Sequence, residues 1–97
     1  MKEEIFNTYV TKVAEIFKIE EEEVFGESKK RKFSDARQLL YYLCSVRPIR
    51  IVHIKGFMNE RGLSVSHQSI LHGVKSVKKK LSTDRDYKLT IKKLEDV

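Results

Sequence analysis

Apolar residues in this chain recur at every third or fourth position almost from end to end, and over no useful length do they alternate with the period of two that a strand requires. Such spacing gives a helix one apolar face. The expected fold is therefore all-α, a single small helical domain over residues 1–97. A first helix is expected over residues 3–17, with Phe6, Tyr9, Val10, Val13, Ala14 and Phe17 on one face. A short acidic turn follows at 20–25, in which Val24 and Phe25 dock on the core, and then a loop at 26–33 carrying four consecutive bases. Ser34 is the expected N-cap of the next helix, with Asp35 in its first turn and Ala36, Leu39, Leu40, Leu43 and Cys44 on its apolar side. That helix must end before Pro48. A fourth helix, over 51–61, is anchored by Ile51, Ile54, Phe57 and Met58 and weakened by Gly56. Gly62 suits a left-handed helix end, Leu63 can pack inward, and Ser64 is placed to cap a fifth helix at about 65–81 that buries Ile70, Val74, Val77 and Leu81. A last helix at 86–94 offers Tyr87, Ile91 and Leu94.

A chain of 97 residues supports one modest core. Hydrophobic residues at 40% against 35% charged fit a globular protein, and no apolar run approaches the roughly 18 residues of a membrane span. The acidic start Met1-Lys2-Glu3-Glu4 is unlike a secretory signal, and Cys44, the single cysteine, is expected in the core. A reducing, cytoplasmic compartment is the expectation.

The charge is unevenly distributed. Net charge is +6, but residues 1–27 hold eight acids and three bases (−5), whereas residues 28–97 hold seventeen bases and six acids (+11). This polarity suits a polyanion bound by one face, with nucleic acid the first candidate and an anionic membrane the second. The membrane is disfavoured because no exposed apolar stripe with Trp or Phe adjoins the bases.

The segment from Ile51 to Leu81 has the pattern helix, Gly-Leu-Ser, helix, and is expected to form a helix-turn-helix. At the start of its second helix stand Val65, Ser66, His67, Gln68 and Ser69, followed by His72, Lys75 and Ser76 and then Lys78 to Lys80. Short polar side chains at a helix start are placed to reach base edges in a wide major groove, with cations further along where phosphates pass. Lys29, Lys30, Arg31 and Lys32 form a second anion site, able to follow a phosphate chain or enter a minor groove. Arg37 and Gln38 lie one turn into the following helix. Tyr41 and Tyr42 suggest base stacking, but they lie mid-helix between core leucines, and packing of one is expected over display of both. His53, His67 and His72 have neither the spacing nor the partners of a zinc site. Phosphate-loop, nucleophile-elbow and cysteine–histidine signatures are all missing from the sequence. No metal, cofactor, small-molecule substrate or enzymatic activity is expected.

The stretches VAEIFKI (Val13 to Ile19), ESKKRKFSDARQLLYYL (Glu27 to Leu43) and SHQSILHGV (Ser66 to Val74) resemble the C-terminal DNA-binding domain of the bacterial replication initiator DnaA, an all-α module of the Trp-repressor-like class. The likeness covers roughly Val13 to Leu94. It implies a duplex-DNA binder with replication proteins among its partners, nucleoid-associated and of bacterial, phage or plasmid origin. It further implies that Arg31 enters the minor groove, that Arg37 and Gln38 contact the phosphate backbone, and that His67, Ser69 and His72 take the places of the family's signature residues. Lys75 follows on the same helix. Val65, Ser66 and Gln68 stand where the family carries arginine, aspartate and threonine. Serine donates or accepts and glutamine suits adenine, so a box different from the family's is expected. The 97 residues span no counterpart of the family's ATPase and oligomerisation domains, so origin remodelling is not expected of them. The alternative is a protein-interaction module that keeps the fold without base reading.

Overall fold

The structure, a computed structural model, describes residues 2–28 and 30–95. Six helices follow in order: α1 (Lys2–Phe17), α2 (Glu21–Val24), α3 (Arg31–Val46), α4 (Ile51–Glu60), α5 (His67–Thr83) and α6 (Arg85–Glu95). There is no strand among the described residues, and no helix is long and apolar enough to cross a membrane.

Helix α3 is the centre of the molecule. Six consecutive residues in its second half, Leu39 to Cys44, are all buried. No amphipathic surface helix shows this, because one face of such a helix meets water. The reason is that α1 packs on α3 from one side, α5 from another, and α2 and α4 also touch it, while α6 lies on α5. Both Tyr41 and Tyr42 are accordingly inside, 4% and 9% exposed. One core cluster runs through the whole, with Phe6, Tyr9, Val10 and Val13 from α1, Ile54 and Met58 from α4, Ile70 and Val77 from α5, and Ile91 from α6. The Phe6 ring meets those of Phe25 and Phe57 at 6.2 and 5.1 Å, joining α1 to the α2 turn and to α4.

Two helices end in the same motif. At Gly62, with φ of 97°, the Leu63 N–H reaches the Met58 carbonyl and the Gly62 N–H that of Asn59, as the sequence anticipates for a glycine after a helix. At the end of α1 the corresponding bonds run from Ile19 to Ala14 and from Lys18 to Glu15, but the left-handed residue is Lys18, with φ of 55°. A lysine there carries a steric cost that glycine would avoid.

Several helix starts differ from the sequence expectation. Helix α3 begins at Arg31, not after Ser34, because the Lys30 carbonyl already accepts the N–H groups of Phe33 and Ser34. Arg31 and Lys32 therefore sit in a first helical turn, not in a loop, where an ion pair from Arg31 to Asp35 at 3.8 Å offsets some of the unfavourable dipole. Asp35 also meets Lys80 Nζ at 3.5 Å, tying the start of α3 to the end of α5. At α5 the cap is Ser66, not Ser64: its hydroxyl accepts the Ser69 N–H at 3.0 Å, and the helix starts at His67. Helix α6 starts one residue early, capped by Asp84, whose carboxylate accepts the Tyr87 N–H at 3.1 Å.

Candidate nucleic-acid interface

The first turns of α5 are held out from the core by the close approach of α3 and α5 behind them. Gly73 marks the contact: a Cβ at that position would lie 2.8 Å from Tyr41 Cδ2 and 3.3 Å from the Gln38 Cα. Ile70, Val74 and Val77 bury the inner side of α5. The outer side carries Gln68, His72, Lys75 and Lys79, all exposed and spaced by four, three and four residues, so they form one stripe along the helix. Helix α5 holds four lysines and no acid. Three of these, Lys75, Lys78 and Lys79, are exposed, and among the described residues only Lys80 has an ion-pair partner, Asp35.

Between α3 and the start of α5 runs an open groove of about 820 Å³. Among the expected site residues it brings together Arg37, Gln38, Gln68, Ser69 and His72. Its wall also includes Gly26, Glu27, Ser34, Tyr41, Leu63 and Ser64, which the sequence reading did not assign there, and Val65, which it did place at the start of the second helix. The glycine in the middle of α5 was the available signal, since a residue without a Cβ in a helix interior marks a close approach. Lys30, Arg31, Lys32, Ser66, His67 and Lys75 are exposed but outside the groove, and Lys29 lies outside the described residues.

Individual side chains are engaged in ways that bear on their roles. Ser66 donates its hydroxyl hydrogen to Ser69 Oγ at 3.0 Å while accepting the Ser69 N–H, so both of the expected reader hydroxyls are tied into the cap of α5. His67 and Gln68, in the same turn, are exposed. Arg37 reaches inward from the groove wall. Its Nε donates to the Val24 carbonyl at 2.8 Å, and its Nη2 donates to those of Gly26 at 2.8 Å and Ser28 at 2.6 Å. Burial lowers the guanidinium pKa from its ordinary value, and the neighbouring Tyr41 opposes that shift. Tyr41 is in turn pushed up to about 12 by its burial, so its hydroxyl stays neutral.

The acidic and basic halves of the sequence meet where Arg61 at the end of α4 pairs with Glu21 of α2 at 3.7 Å. The glutamate-rich α1 and α2 pack on each other and on α3, whereas α5 and α6, each with four bases, pack together. Among the described residues no three His, Cys, Asp or Glu side chains assemble as a metal site. No family model and no solved structure matches the chain.

Proposed function

We propose that this chain binds double-stranded DNA with sequence preference, with α4, the turn after it and α5 acting as a helix-turn-helix. The observation that carries the reading is the single exposed stripe of Gln68, His72, Lys75 and Lys79 on a helix without acids. A B-form major groove admits one helix, and base edges are read by polar side chains at its start while cations further along meet phosphate. Gln68, His67 and His72 are the base-reading candidates in this arrangement. Lys75, Lys78 and Lys79 supply phosphate contacts from α5, and the bases at the start of α3 supply them from a second point on the backbone or minor groove. The resemblance to the initiator's DNA-binding domain adds the target class, a short origin-type box, and a role in replication initiation or its control.

The test is a titration of labelled duplexes, one carrying an initiator-type box and one scrambled, across a salt series. Tighter binding to the box, with log Kd rising linearly with log salt, supports the proposal. Equal, steeply salt-dependent binding to both leaves the phosphate grip and means that the target box is a different one or that there is none. A second reading, an interaction module for another protein, is favoured by the Ser66–Ser69 hydrogen bond, which engages two hydroxyls that base reading would need free. Absence of binding to either duplex at low salt selects it.

A further inference from the structure

We propose that Arg37 acts on DNA as a positioning residue, setting the register of the cations Lys30, Arg31 and Lys32, and not as a phosphate contact of its own. The inference rests on the duplex-DNA reading above and departs from the role that the initiator resemblance implies for this arginine. Three carbonyls of one turn, those of Val24, Gly26 and Ser28, converge on two nitrogens of the Arg37 side chain at 2.6–2.8 Å. Nε–H and both hydrogens of Nη2 are thereby engaged, and the planar fork of arginine is what lets three acceptors be met at once. Ser28 extends the chain of contacts. Its carbonyl is on Arg37, and its hydroxyl accepts the Lys30 N–H at 3.3 Å. Lys30 is the residue from which α3 starts, and the next two residues are Arg31 and Lys32 in the first turn. One half-buried guanidinium thus ties down the segment from Val24 to Ser28 and, through the Ser28 hydroxyl on the Lys30 N–H, the point where the exposed cations emerge. No side chain caps α3 in the usual way, so this tie from within the helix stands where an N-cap would.

Lysine separates the two roles. It is a competent point-charge partner for phosphate but cannot meet three carbonyls in one plane. The experiment compares the wild-type chain with Arg37→Lys and Arg37→Ala, each below its own unfolding midpoint, and reads the slope of log Kd against log salt on the preferred duplex. A single lost phosphate contact lowers that slope by about 0.9. If Arg37 positions the others, Arg37→Lys loses affinity as Arg37→Ala does. Its slope then falls by more than one phosphate's worth, because several displaced cations lose register together. Amide exchange of Lys30, Arg31 and Lys32 in the free variant speeds up in parallel. Arg37→Lys binding with wild-type affinity and slope overturns the proposal while leaving DNA binding intact. Failure of the wild-type chain to bind any duplex overturns the DNA reading itself. Should both Arg37 variants fail to fold, Ser28→Ala cuts the same chain of contacts further out. A smaller slope loss is then expected from it, and an unchanged slope refutes the proposal.

Discussion

Replacing Gly73 with alanine sets two effects of known size against each other. In a helix interior alanine is better than glycine by up to about 1 kcal/mol, so propensity alone predicts a stabler protein. The new methyl would stand 2.8 Å from Tyr41 Cδ2, 3.2 Å from Gln38 Cγ and 3.3 Å from Gln38 Cα. Gln38 Cγ can move aside. The Tyr41 ring, 4% exposed in the packed middle of α3, and the α3 backbone cannot do so without repacking. Overfilling a packed site costs about 1–3 kcal/mol. The net expectation is a loss of roughly 1 kcal/mol, which for a domain of this length lowers Tm by about 4–8 °C. Gly56→Ala is the internal control. Gly56 lies within α4 with nothing within 4 Å of its virtual Cβ, so the same substitution there should add about 0.5–1 kcal/mol. Thermal melts followed by circular dichroism give both signs in one experiment. If both variants raise Tm equally, α3 and α5 do not approach as described, and the groove between them loses its geometric basis.

Lys18→Gly should raise stability by about 0.5–1 kcal/mol, because the left-handed residue ending α1 then carries no Cβ penalty while part of the gain is returned as chain entropy; a denaturant midpoint shifted upward at unchanged m-value checks it. Burial pushes the Cys44 thiol and the Tyr41 and Tyr87 hydroxyls each up to about 12, above ordinary values of 9.0 and 10.0. Their folded values are raised, so this stability is complete below about pH 9 and is lost as pH climbs toward 12; melts from pH 8 to 12 should show the decline, and a thiol reagent at pH 8 should label Cys44 only after denaturant is added. Gln68→Ala should cost about 1–3 kcal/mol on the preferred duplex and little on others, whereas Lys75→Ala should weaken all duplexes alike and lower the salt slope by about 0.9. A uniform loss for Gln68→Ala in a competition assay would remove it as a base reader.

Helix α1 was legible because Phe6, Tyr9, Val10, Val13 and Ala14 face a single neighbouring layer, and a one-sided burial writes its period into the sequence. The start of α3 was not, for two physical reasons. Ser34 is the residue type that usually caps, and Arg31 and Lys32 are the types that a helix start disfavours. The helix begins there nevertheless, and what favours it, carbonyls gathered on Arg37 from a preceding turn, leaves no trace in residue identity because every residue has a carbonyl. The same blindness applies to Ser64 and Ser66, two equivalent candidates one residue apart around Val65. The cap falls to Ser66, whose hydroxyl accepts the Ser69 N–H, a backbone group that every residue carries. The exposed residues of α5 were anticipated as a set, while the alignment of Gln68 and His72 with Arg37 and Gln38 across a groove depends on Gly73 and was visible only in three dimensions.

The exposed glutamates of α2, Glu22 and Glu23, and the exposed lysines of α5 have a colloidal consequence. The acidic segment of one copy complements the basic helix of the next. A contact of that head-to-tail kind need not close on itself, so several copies can add in succession. In dilute buffer, where the Debye length reaches about 30 Å at 0.01 M and spans a molecule measuring 33 × 29 × 24 Å, such chains attract one another despite a shared net charge of +6. Added salt shortens that reach to a few ångströms, so this protein dissolves better as ionic strength rises, the reverse of a uniformly charged surface whose copies salt only pulls together.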